Sequence, residues 1–283
     1  MAGNSMVKTL FDNGHFYSPV VDPSLIRDRV GEIWRDRPQI LGIDFNRAAH
    51  LKLLSAFPRW LKDFNYPMAA DDATDAEGRP GFFLENDQFS NIDARALFVM
   101  LREFKPRRVI EVGSGFSSLL MADVKRRFLP LLSLQCIEPY PRSFLHDTSY
   151  GLELVKSKVE HVPMAFFESL RKGDFLFIDS SHVSKTGSDV NYLLFEVIPR
   201  LRPGVLVQVH DIFLPQDYPF EWVVKDNRSW NEQYLLQAYL MFNPKTRVVF
   251  GSSYVYHALP QEAADAIGPG VSTFGGSLWF ETR

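Results

Sequence analysis

Two rhythms of apolar residues divide this chain. From residue 92 onward, short apolar runs alternate with segments whose apolar positions recur every three or four residues. The runs predict buried strands and the recurring positions predict amphipathic helices. In order, the pattern predicts a helix over residues 93–104, where Leu97, Phe98, Met100 and Leu101 are apolar, and a strand over 108–112. A helix over 117–127, a strand over 133–137, a short strand within 155–162 and a strand over 174–178 follow. Next come a helix over 189–201, stopped by Arg202-Pro203-Gly204, and a strand over 205–209. A helix over 230–242 and strands over 246–256 and 277–281 complete the set. Strands that are apolar throughout and alternate with helices mean an α/β fold, a mostly parallel sheet covered on both faces. Ligands of such sheets bind beyond the carboxyl ends of the strands.

Residues 1–91 lack that rhythm and are rich in Pro, Asp, Phe and Trp. Their clearest pattern is a helix over 46–64, carried by Leu51, Leu53, Leu54, Phe57, Trp60, Leu61 and Phe64. The polar stretch AADDATDAEGRP at 69–80 reads as a loop. The expected organisation is therefore a helical and loop appendage over 1–91, packed as a cap on one larger domain over 92–283.

Composition narrows the classes further. At 46% hydrophobic and 23% charged the 283 residues are ordinary globular material. No segment approaches the ~18 uninterrupted apolar residues of a membrane span, and the first residues lack the apolar core of a signal peptide. The net charge of -3 argues against a nucleic-acid partner. KPRR at 105–108 and KRR at 125–127 are better read as solvated helix ends. Cys136 stands alone in the chain, so neither an internal disulfide nor a cysteine metal cluster can form, and its apolar neighbours predict a buried strand residue. A soluble, cytoplasmic protein is expected.

The strand ends carry the chemistry. The first strand runs into VIEVGSGFSS at 109–118, a strand, a glycine turn and a helix start. Glycines there let backbone approach a ligand, and Ser117 or Ser118 can cap the helix. A dinucleotide loop would carry a third glycine to pack around a pyrophosphate; here a serine stands in that place. The second strand ends at Glu138, a position from which a carboxylate accepts hydrogen bonds from ribose hydroxyls. The fourth ends in Asp179-Ser180-Ser181-His182 and the fifth in His210-Asp211, so four titratable groups share one rim.

E-x-G-x-G at 111–115, Glu138, FIDSSH at 177–182 and LRPGVLVQVHDIF at 201–213 together resemble the class I S-adenosylmethionine-dependent methyltransferases. The likeness is closest to bacterial small-molecule methyltransferases whose strand-four and strand-five ends read D-x-x-H and H-D. It implies a Rossmann-like sheet of seven strands with the last antiparallel, for which GGSLWFET at 275–282 is the candidate. It also implies S-adenosylmethionine as cofactor. Gly113, Ser114 and Gly115 would meet its methionyl end, Glu111 would support the loop, and Glu138 and Asp179 would complete the cofactor site. Pro139, Tyr140 and Met164 are candidates for the adenine. A sulfonium nucleoside has no pyrophosphate, so the missing third glycine and the lack of a phosphate-binding lysine both suit it.

Methyl transfer to a hydroxyl needs alignment and a base. His182 or His210 suits that role, with Asp179 or Asp211 orienting it. A divalent metal is the rival account. Related O-methyltransferases hold one through an Asp after strand four and an Asp-Asn pair after strand five. His210 departs from that pattern, so a metal is not the expectation; if one binds, Asp179, His210 and Asp211 are its ligands. His15, Tyr17, Arg228, Trp230 and Tyr234 are the candidate contacts to a small-molecule acceptor. N-methylation and non-catalytic cofactor binding are the alternatives in function, and a homodimer is open by analogy.

Overall fold

The structure is a computed structural model that describes residues 9–35, 37, 39–74 and 78–283. Seven strands form one sheet: β1 Arg108–Val112, β2 Ser133–Ile137, β3 Leu152–Val155, β4 Phe175–Ile178, β5 Leu206–Val209, β6 Thr246–Gly251 and β7 Leu278–Thr282. Their order across the sheet is β3-β2-β1-β4-β5-β7-β6. The β1, β2, β3, β4 and β5 pairings are parallel, and β7 runs antiparallel to both β5 and β6. The order reverses between β1 and β4, which puts the crevice for a ligand above the carboxyl ends of those two strands.

The central strands β4 and β5 are buried at every position, as helix layers on both faces require. Five longer helices supply most of the cover: α1 Arg47–Leu61, α2 Asn91–Phe104, α3 Phe116–Phe128, α4 Glu232–Leu240 and α5 Pro260–Ile267. Helix α2 buries Ile92, Leu97, Phe98, Met100 and Leu101 in the same continuous core as the strands. Helix α1 joins that core through Leu53, Leu54 and Phe57. Its buried His50 accepts a hydrogen bond from Gly251 N at 2.8 Å, and Asn46 donates to Val248 O at 3.0 Å, so α1 is fastened to β6. No helix among the described residues is long and apolar enough to cross a membrane.

Three elements differ from the sequence expectation. The strand expected within 155–162 lies earlier, as β3, and 159–161 form a single 3-10 turn. The last long strand stops at Gly251, and Ser252–Ala258 is a helix. Two buried serines enforce that stop: Ser252 donates to Asp93 and Ser253 to Phe213 O. The expected helix over 189–201 is α-helical only over Asp189–Tyr192, widens to a π turn over Leu193–Val197 and tightens over Ile198–Arg200. Pro199 supplies no N–H to continue an α pattern there.

Candidate active site

The loop after β1 is shaped by its neighbours. Gly113 has φ of +78°, and a Cβ added there would lie 1.7 Å from the Asp179 carbonyl oxygen. Both the left-handed backbone and the close approach of the β4 end require glycine. Beneath the loop, the buried Glu111 carboxylate accepts from Ser117 Oγ at 2.6 Å, Ser118 Oγ at 2.5 Å and Cys136 Sγ at 3.2 Å. Ser118 Oγ also accepts from Gly115 N at 3.0 Å, so the serine does cap the helix, as expected. Burial drives the Glu111 carboxyl up to about 7 against these hydrogen bonds. Across the crevice, Glu138 accepts from Ser114 N at 3.2 Å and Tyr140 N at 2.7 Å. Those bonds hold the carboxylate at the rim with acceptor capacity left over. Among the described residues, Ser114 Oγ is buried without a hydrogen-bond partner.

Beside this loop lies a knot of histidines and carboxylates. His182 Nε2 stands 3.4 Å from Asp179 Oδ1 and 3.5 Å from Asp211 Oδ2, and its Nδ1 is 3.0 Å from Glu232 Oε2. His210 Nδ1 is 3.4 Å from Asp179 Oδ1 and 3.4 Å from Asp211 Oδ1, and its Nε2 is 3.5 Å from Asp93 Oδ2. Both histidines are buried. Each therefore turns one ring nitrogen towards the same pair of aspartates and the other towards a buried carboxylate. The backbone is strained where the knot is tied: His182 has φ of 60° and Asp211 φ of 56°, left-handed values that non-glycine residues seldom adopt.

The charges reinforce one another. Burial alone would lower His182, but Asp179 and Glu232 outweigh it and lift the imidazole to about 10. Burial likewise opposes charge on His210, and Asp211 and Asp179 raise it well above its ordinary value. Burial would raise Asp179, yet the two histidines hold it below the usual carboxylate range. Glu232 is raised, by burial, despite the His182 beside it. Even with both rings protonated, the four carboxylates leave this knot with a net negative charge. It is a place for a cation.

Asp179, His210 and Asp211 can each offer one ligand atom, all within 4.8 Å of one another. Among the described residues, neither buried His210 nitrogen makes a hydrogen bond. Those residues fit a divalent ion. The nitrogen in the set suits zinc, manganese or iron better than magnesium.

The glycine loop and the knot face one cavity of about 570 Å³. It is lined by Gly113, Ser114, Gly115 and Glu138 on one side, and by Asp179, His182, His210 and Asp211 on the other. Phe89 roofs His210, with ring centroids 5.2 Å apart. At the far end Arg228 lies over Trp222 at 4.2 Å and over Trp230 at 5.0 Å, and pairs with Asp226 at 3.1 Å. A second cavity of about 580 Å³, between α3 and the segment after α1, contains none of these groups.

Of the acceptor contacts expected from sequence, Arg228 and Trp230 line the cavity. His15, Tyr17 and Tyr234 do not line it. His15 stacks on Phe11 and Phe16 in a surface cluster with Tyr17, itself 66% exposed. Tyr234 turns away to donate to Asp217 Oδ1 at 2.6 Å. Of the adenine candidates, Tyr140 is 81% exposed, and neither it nor Pro139 nor Met164 lines the cavity. Sequence reasoning missed Asp93, Glu232 and Trp222. An acid in the first turn of a helix reads as a solvated dipole partner, and only tertiary contacts reveal that Asp93 and Glu232 point inwards.

A seven-stranded sheet in this order with β7 reversed, and a glycine loop facing a strand-end carboxylate, match the architecture that the resemblance to class I methyltransferases implies. A family model described as a methyltransferase domain matches residues 110–212. An uncharacterized protein of Archaeoglobus fulgidus is 33% identical over 172 residues, spanning 59% of this chain and 76% of its own. Among solved structures, the SAH-bound Podospora anserina methyltransferase PaMTH1 aligns at 14% identity over 82% of this chain and 88% of that one, with a TM-score of 0.42. A Geobacter sulfurreducens methyltransferase aligns at 15% identity over 94% and 98%, with a TM-score of 0.39. Both superpositions are loose, and kinship rests on the domain match, the archaeal relative and the strand order. The chain shares a family with the archaeal protein, and its residues 110–212 carry a methyltransferase domain.

Proposed function

We propose that the protein transfers a methyl group from S-adenosylmethionine to a hydroxyl of a small molecule, with His182 as the base. The observation that carries this reading is that the glycine loop, Glu138 and His182 share one cavity. The cofactor's methionyl end would lie on Gly113, Ser114 and Gly115, and its ribose hydroxyls would donate to Glu138. Its sulfonium would then sit towards the negatively charged knot, where the site favours a positive charge. The acceptor would enter past Trp222, Arg228 and Trp230, with its hydroxyl between the methyl group and His182. In-line attack on the methyl carbon then needs only alignment and removal of one proton. Against burial, Asp179 and Glu232 raise the His182 imidazole to about 10, so the ring would become a base once the cofactor's sulfonium offsets Asp179 and Nε2 sheds its proton. A cytoplasmic setting and no nucleic-acid partner belong to the same reading.

A second reading, metal-assisted O-methylation, is favoured by the buried His210 Nδ1, which stands 3.4 Å from both Asp179 and Asp211 and makes no hydrogen bond among the described residues. Those three residues would hold the ion, which would supply a Lewis acid for the acceptor hydroxyl. His182 would remain beside it to take the proton. N-methylation lacks an observation of its own, and a spectator role would leave the strain at His182 and Asp211 without a purpose.

The test is label transfer from [methyl-³H]S-adenosylmethionine to a panel of phenols, glycosides and hydroxy acids, with and without chelator. Transfer by the wild type and its loss in His182→Ala is the expected result. Chelator-sensitive transfer restored by one ion selects the metal-assisted form. Full transfer by His182→Ala would remove the base.

A further inference from the structure

His182 is held from both sides by the segment that follows β5. Asn231 N and Glu232 N, at the start of α4, donate to the His182 carbonyl at 3.1 and 3.2 Å. Asn231 Oδ1 accepts from Ser184 N at 2.6 Å, and its Nδ2 donates to Ser184 O at 3.2 Å. The helix start thus clamps the β4 loop and sustains the left-handed backbone of His182. Trp230 lies against the imidazole with ring centroids 4.4 Å apart. Glu232, 1% exposed, reaches Nδ1 of that ring at 3.0 Å and accepts from Ser180 Oγ at a long 3.4 Å.

We propose that Glu232 is the positioning residue of the base, accepting the Nδ1 proton of His182 so that Nε2 alone faces the cavity. A buried carboxylate at this distance fixes which nitrogen carries the proton and which way the ring turns. With the Nδ1 proton so held, Nε2, beside Asp179 and Asp211 where the acceptor hydroxyl would arrive, is the nitrogen left to shed and regain a proton. Solvation of a helix end cannot explain Glu232, because the carboxylate is inside the protein. Fastening of the loop does not require it either, since the backbone amides and Asn231 already do that. What the side chain adds is the hydrogen bond to the ring. This inference rests on the reading of His182 as the base.

The experiment follows the ring nitrogens of ¹⁵N-histidine-labelled protein by NMR. Wild type, Glu232→Gln and Glu232→Leu are compared, with S-adenosylmethionine affinity and label transfer measured on each. Wild type should show a slowly exchanging His182 Nδ1–H signal, absent in His182→Ala. Glu232→Leu should lose that signal and roughly 10²–10⁴-fold in kcat, with KM for S-adenosylmethionine unchanged within a few-fold. Glu232→Gln, which keeps a carbonyl acceptor, should recover the signal and part of the rate. Backbone amide shifts of residues 183–188 report whether the loop itself has held. A persistent Nδ1–H signal in folded Glu232→Leu, or kcat within a few-fold of wild type, overturns the proposal. Full transfer by His182→Ala is a separate failure: it removes the base reading, and with it any catalytic role for Glu232.

Discussion

The two halves of the cavity are built differently. The cofactor half is one contiguous loop after β1 plus Glu138, held largely by backbone geometry and local serine bonds. The acceptor half draws Asp93, Asp179, His182, His210, Asp211 and Glu232 from four separated segments, and their side chains meet only in the folded protein. The glycine loop can be damaged only by disturbing the fold; the acceptor half can lose a group and leave the fold intact. Stability and chemistry should therefore separate between the halves.

The largest break is Gly113→Ala. The added methyl collides with the Asp179 carbonyl at a left-handed backbone position. A loss of stability above roughly 4 kcal/mol, in the exceptional range for one substitution, is expected in denaturant melts, together with loss of S-adenosylmethionine binding. Wild-type stability in this variant would show that the loop can rearrange. Glu111 gives a smaller effect with a sign. Its folded value, about 7, lies above its ordinary 4.5, so the native state binds more protons than the unfolded state between those values. Its contribution to stability is complete below about pH 4.5 and is lost as pH rises through 7. Glu111→Gln, neutral throughout, should gain on the order of 2–3 kcal/mol over wild type on going from pH 5 to pH 8. An equal difference at both pH values would mean that Glu111 stays ionised. The smallest effect is expected at the cavity's far end. Arg228→Ala removes a guanidinium stacked on Trp222 and Trp230, and should raise KM for the acceptor several-fold while melting temperature and cofactor affinity stay put. An altered cofactor affinity would move Arg228 into the other half.

The same contrast explains what could be read from the sequence. The sheet was legible because strands buried on both faces have no polar alternation, and the glycine loop because a positive φ leaves few residue choices. Asp179, His182, His210 and Asp211 were legible as strand ends, where such sheets place ligands. Asp93 and Glu232 were not. Each opens a helix, and nothing local distinguishes a solvated first-turn acid from one turned into the core. Tyr234 points to Asp217 rather than into the cavity, and an aromatic beside a site declares no direction in the sequence. Ser252 and Ser253 end a strand through bonds to residues far away in the chain. No local pattern anticipates that.

The most direct measurement is a pair of numbers on His182→Ala: S-adenosylmethionine affinity by calorimetry, and methyl transfer to an acceptor that the wild type accepts. Affinity within a few-fold of wild type, with transfer reduced by roughly 10²–10⁴-fold, is the predicted result. Transfer at the wild-type rate, or loss of cofactor binding in a fully folded variant, would contradict a cavity in which one half holds the cofactor and the other performs the chemistry.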